Sequence, residues 1–134
     1  MKIGDKHYRT IWLADDGWSV KVIDQTFLPH QFEVMRLTDV EEVALAISSM
    51  VVRGAPLIGA TAAYGMALSA HADPSDQAIC SAHARLLATR PTAVNLRWAL
   101  DDMRRCILAA PANQRRGVAY ARAADILSLI HISE

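Results

Sequence analysis

The amino-acid sequence predicts an α+β fold, a small three-stranded antiparallel sheet followed by a helical bundle. Around Asp15-Asp16-Gly17, apolar and polar residues alternate with a period of two, the mark of a β-hairpin with an Asp-Gly turn. From Val40 onward the apolar period becomes three and four, which belongs to helices. Within the helical part, the stretch from Gly54 to Ala70 carries no charge, and a helix that is apolar on every side belongs at the centre of a bundle.

Composition limits the classes of function. A chain of 134 residues, 52% hydrophobic and 21% charged, is a single globular domain rather than a disordered segment. Lys plus Arg and Asp plus Glu both number 14, so no global field draws the chain to nucleic acid or to an anionic membrane, and neither is expected as a partner. Any anion must be met locally. The uncharged stretch falls short of the roughly 20 residues a bilayer requires, and a buried helix explains it better. Met1 to Arg9 has no apolar run and so does not read as a secretory leader. Cys80 and Cys106 have neither zinc nor disulfide spacing, and a reduced, cytoplasmic protein is expected. His7, His30, His71, His83 and His131 are scattered, which suits solvated surface rather than a metal cluster.

In chain order, Tyr8, Thr10 and Trp12 form one strand, Trp18, Val20 and Val22 its hairpin partner, and the segment from Gln31 to Leu37 a third. Thr38-Asp39-Val40-Glu41 fits a capping box, followed by a helical stripe of Val40, Val43, Ala44, Ile47, Met50 and Val51. A second helix begins near Pro56; its small residues Gly59, Ala60, Ala62, Ala63 and Gly65 allow close approach of neighbours, each Gly costing about 1 kcal/mol of helix propensity. Asp73 is the expected N-cap of a third helix, with Pro74 in its first turn and an end at Leu87. After a break at Thr89-Arg90-Pro91-Thr92, a fourth helix presents Leu96, Ala99, Leu100, Met103 and Ile107 to the core, and a fifth runs from about Gln114 to Leu127. Residues 1–127 are thus one domain. Residues 128–134 lack a cap, depart from the Ala/Arg-rich pattern and resemble translated adapter sequence; they are expected to be a non-native tail. Trp12, Trp18 and Trp98 are expected in core or sheet–helix packing.

Chemistry gathers at two helix starts, each preceded by one arginine. Arg53 and Gly54 lead into Ala55 and Pro56, and Arg90 stands before Pro91. Backbone N–H groups at a helix N-terminus, the positive helix pole and a guanidinium suit a phosphate. From these residues alone, a start that is simply capped, with Arg at the surface, is the favoured reading.

Taken together with Asp24-Gln25-Thr26-Phe27-Leu28-Pro29, the runs Arg53-Gly54-Ala55-Pro56 and Arg90-Pro91-Thr92-Ala93-Val94-Asn95-Leu96 resemble, in order and spacing, those of the methylthioribose-1-phosphate isomerase family. The resemblance reaches from the start of the chain to about the fifth helix. It implies the N-terminal domain of a two-domain aldose–ketose isomerase of methionine salvage, which converts 5-methylthioribose 1-phosphate to 5-methylthioribulose 1-phosphate without metal or redox cofactor. It also implies that Arg53, Gly54, Ala55 and Arg90 contact substrate. Asp24 and Gln25 are expected to organise the strand-to-loop connection rather than touch substrate. The family's catalytic cysteine and aspartate belong to a Rossmann-like C-terminal domain that this chain does not include. No catalytic residue is therefore expected here, and the chain alone is expected to be inactive; the full-length protein is expected to be a homodimer. Ribose-1,5-bisphosphate isomerase and the non-catalytic regulatory subunits of the translation-initiation exchange factor are the alternatives within the same fold family.

Overall fold

The computed structural model describes residues 2–3, 6–7, 11–23, 34–49, 55–90 and 93–133. Strands β1 (Lys2–Ile3) and β2 (Lys6–His7) pair with each other. Strands β3 (Ile11–Leu13), β4 (Val20–Ile23) and β5 (Val34–Leu37) form the antiparallel three-stranded sheet in the order β3-β4-β5. The register sets Ile11 opposite Val22 and Val20 opposite Leu37, so period-two alternation puts all four on one face, where all are fully buried. Trp12, Lys21 and Arg36 share the other face. Residues 8–10 and 31–33, expected as strand, lie outside the described residues. The β1–β2 pair was not expected, because two-residue strands are too short to show alternation.

The hairpin turn follows the Asp-Gly expectation. Gly17 adopts φ 81°, a left-handed conformation that a side chain would disfavour. The Asp16 carboxylate accepts from the N–H groups of Trp18 and Ser19 and from Ser19 Oγ, and it pairs with Arg36 across the sheet. Those donors, with the Ser19 hydroxyl foremost, hold the Asp16 carboxyl far below the usual carboxylate range.

Five helices follow: α1 (Val40–Ser48), α2 (Ala55–Ala72), α3 (Asp76–Leu87), α4 (Val94–Ala109) and α5 (Arg115–Ser133), the last growing out of a 3₁₀ turn at Ala112–Gln114. Helix α2 is the central one. Residues 57–70 are all buried, and α2 packs against each of the other four helices. Two of its glycines mark close approach. A Cβ on Gly65 would lie 2.9 Å from Val43 Cγ1 and 3.0 Å from Leu86 Cδ1, and one on Gly59 would lie 3.1 Å from the Asn95 carbonyl oxygen. The expected core face of α4 (Leu96, Ala99, Leu100, Met103 and Ile107) is fully buried.

Several local expectations are corrected. The N-cap of α1 is Asp39, not Thr38: its carboxylate accepts from the Glu42 N–H at 2.8 Å, while Glu42 reaches back to the Thr38 N–H and hydroxyl. The capping box is therefore displaced by one residue, and Glu41 is left to pair with Arg85 of α3, which lowers the Glu41 pKa. The N-cap of α3 is Ser75 rather than Asp73, because Asp73 spends its carboxylate on the Ser75 N–H in the turn and Ser75 then caps the Ala78 N–H. Helix α5 does not stop at Leu127 but continues to Ser133. Ile costs only tenths of a kcal/mol in a helix, and without Gly or Pro each further residue adds a hydrogen bond.

Two buried charges, not anticipated from the pattern, tie the bundle together. Asp102, 5% exposed on α4, receives Arg122 of α5 through Nε at 2.5 Å and Nη2 at 3.2 Å. Arg115 donates to the carbonyls of Ala110 and Pro74 and pairs with Asp76, joining the end of α4 to the start of α3. A buried charge is tolerated only with such partners.

Candidate functional site

The starts of α2 and α4 lie side by side. Gly59, one turn into α2, faces the backbone of Asn95 in the first turn of α4. The absence of a side chain at Gly59 brings two positive helix poles together. Their chemistry differs from that of α1 and α3. Helix α1 carries Glu41 and Glu42 in its first turn and an Asp39 cap; α3 carries Asp76 and a Ser75 cap. Neither α2 nor α4 has an acid in its first turn, and Ala93, the N-cap of α4, makes no side-chain cap bond. Helix α5 also starts without an acid, but it continues directly from the 3₁₀ turn.

Arg90 sits at the head of α4, where its carbonyl accepts from the Ala93 N–H at 3.0 Å. Its Nε and Nη2 both point at the Ile47 carbonyl oxygen, at 3.3 Å each. That carbonyl belongs to the last turn of α1, the negative end of the helix, where a cation is favoured. Half-buried Arg90 thus joins the end of α1 to the start of α4. Of the expected substrate contacts, the structure places Arg90 here and Ala55 at the first position of α2; Arg53 and Gly54 lie outside the described residues, as do Asp24 and Gln25.

The expectation of surface histidines fails at two positions. His83 is buried, with Nε2 2.7 Å from Asp101 and Nδ1 3.5 Å from Arg104 Nη1, a link between α3 and α4. His71, in the last turn of α2, stacks on Trp18. Periodicity alone does not separate a half-buried histidine from a solvated one. Trp98, expected in packing, is 49% exposed on α4, whereas Trp18 does pack against the core. Among the described residues, no cluster of three or more His, Cys, Asp or Glu could hold a metal ion, and no helix is long and apolar enough to cross a membrane.

The sheet, the buried central helix and the paired helix starts define a domain with known structural counterparts. The crystal structure of the translation initiation factor eIF-2B, subunit delta, from A. fulgidus matches with TM-score 0.82 and 35% identity, over 90% of this chain and 36% of that one. The 5-methylthioribose 1-phosphate isomerase from Pyrococcus horikoshii OT3 matches with TM-score 0.81 and 37% identity, again over 90% of this chain and 36% of the other.

Within that class, sequence similarity points to one kind of protein, the methylthioribose-1-phosphate isomerases. The enzyme of that name from Rhodospirillum centenum is 59% identical over 126 residues, 94% of this chain, and that of Methylocella silvestris is 57% identical over the same length. The chain spans about a third of the length of these relatives, 34% in both cases. No protein-family model matches it.

Proposed function

We propose that this chain supplies the phosphate-anchoring part of an aldose–ketose isomerase that converts 5-methylthioribose 1-phosphate to 5-methylthioribulose 1-phosphate. The observation that carries the reading is the pairing of the α2 and α4 starts, both without an acid of their own, with Arg90 at the head of α4. Arg53, Gly54, Ala55 and Arg90 are the proposed substrate contacts. The guanidinium of Arg90 uses its Nε–Nη2 edge on Ile47; the Nη1–Nη2 edge is the one we assign to two phosphate oxygens. An anion there would also be stabilised by the two helix poles.

The substrate phosphate on C1 blocks ordinary ring opening. Opening and the transfer of hydrogen between C2 and C1 therefore need a general acid and base within hydrogen-bond reach of the sugar. We assign those groups to the part of the relatives that this chain does not span, and assign this chain the work of orientation. The whole protein is proposed to be a cytoplasmic homodimer that uses no metal or redox cofactor. Residues 128–134 are proposed to be foreign to it, although α5 extends into them.

The test is to complete the chain with its natural remainder and assay isomerisation of methylthioribose 1-phosphate beside ribose 1,5-bisphosphate. Turnover of the first by the completed protein, and none by the present chain, is the expected result. Preference for the bisphosphate would reassign the substrate. The likeness to the eIF-2B delta subunit is the basis of the alternative, non-catalytic reading, and absence of turnover by a folded, completed protein would support it.

A further inference from the structure

We propose that the contact between Trp18 and His71 is an acid-released clasp that ties the β3–β4 hairpin to the last turn of α2. The two rings are stacked, with centroids 4.7 Å apart and planes 7° from parallel. His71 Nδ1 is buried and has no hydrogen-bond partner. A neutral imidazole tolerates this, since a lone pair without a partner costs little beside an N–H⁺ in the same place. Protonation would put a donor and a charge on that atom.

The surroundings decide whether the charge can be accommodated. From α5, Arg116 opposes it, while the Tyr120 hydroxyl donates to the Trp18 carbonyl at 2.5 Å and holds the indole's backbone in place. From β5, the Arg36 guanidinium carbon already lies 5.5 Å from the centre of the same indole, so a second cation would compete for one ring quadrupole. From the β3–β4 turn, Asp16 favours the charge, but its carboxylate is engaged by Ser19 and Arg36. Burial is the largest influence and, with Arg116, depresses the His71 pKa below its ordinary 6.5. A base with a depressed folded-state pKa holds the stack in full above 6.5; it yields the stack as pH falls from there through the folded value. The clasp lies about 24 Å along α2 from its first turn, at 1.5 Å per residue, and does not depend on the anion-site reading.

The test uses the 134-residue chain with Trp12→Phe and Trp98→Phe, so that Trp18 is the sole emitter, and the unaltered chain for NMR titration of the His71 imidazole. On acidification the Trp18 emission is expected to shift to the red with a midpoint below pH 6.5, and the imidazole to titrate with the same midpoint. His71→Phe, which keeps a flat ring on the indole, should remove the shift; His71→Gln should leave Trp18 red-shifted at every pH. The clasp is overturned by titration of His71 at or above 6.5, by no titration between pH 4 and 8, by titration with the emission maximum unmoved, or by a shift that persists in His71→Phe.

Discussion

At its first turns α2 meets α4 backbone to backbone, with Gly59 against the Asn95 carbonyl and no acid in either first turn. At its last turn it meets the sheet through rings, with His71 against Trp18 and Arg36 on the same indole. One end carries two positive helix poles with no acid in either first turn; the other closes on itself with stacked and hydrogen-bonded side chains. Both rest on the same buried rod, residues 57–70. The contrast shows why a phosphate site suits the first end. Positive helix poles without acids of their own are what an anion needs, and rigidity beneath them is what orientation needs.

The sharpest way to break the comparison is at the arginines. In the protein completed with its natural remainder, Arg53→Ala together with Arg90→Ala is expected to lower kcat/KM about a hundredfold or more. Each lost charge-assisted contact is worth roughly 1.5–3 kcal/mol, and about 1.4 kcal/mol is tenfold. Steady-state kinetics checks this, and normal activity would remove the anchoring role.

The two glycines separate site from scaffold. Gly65→Ala meets Val43 and Leu86 at 2.9 and 3.0 Å, and overpacking of roughly 1–3 kcal/mol outweighs the roughly 1 kcal/mol gained in helix propensity, so thermal unfolding should show a lower Tm. Gly59→Ala meets the Asn95 carbonyl at 3.1 Å, where a shift of a few tenths of an ångström relieves it. Its stability should change by less than about 1 kcal/mol, because propensity offsets contact, while KM rises as the two helix starts separate. Equal effects of both substitutions on KM would erase the distinction between the ends.

Smaller effects test the links at each end. Arg90→Lys keeps the charge but loses the planar fork on Ile47, and a loss of about 1 kcal/mol in denaturant unfolding is expected. At the other end, stability should fall as pH drops below 6.5, and His71→Phe should reduce that dependence; pH-resolved Tm values check the sign.

The architecture was legible because it rests on periodicity. The change from two to three-and-four at Val40, the uncharged stretch through Ala70 and the breaks at Pro74, Pro91 and Pro111 all correspond to element boundaries to within a few residues. The caps are ambiguous in sequence where two candidate residues stand within two positions of each other. Asp39 beside Thr38, and Ser75 two residues after Asp73, differ only in which carboxylate or hydroxyl the turn leaves available. The partners of Asp102, Arg115 and His83 come from distant segments, and no local pattern encodes them. At the site, the sequence marked Arg90 and the start of α2, and the structure adds what the sequence does not contain: the contact at Gly59 that sets them beside one another, and the Ile47 carbonyl that orients Arg90.

Inorganic phosphate as an inhibitor of the completed protein tests the central claim most directly. Phosphate is predicted to compete with methylthioribose 1-phosphate, and its inhibition constant to rise at least about a hundredfold when Arg53 and Arg90 are both replaced by Ala, each contact being worth about 1.4 kcal/mol or more. An inhibition constant unchanged by the double substitution would contradict the assignment of the phosphate to the paired starts of α2 and α4.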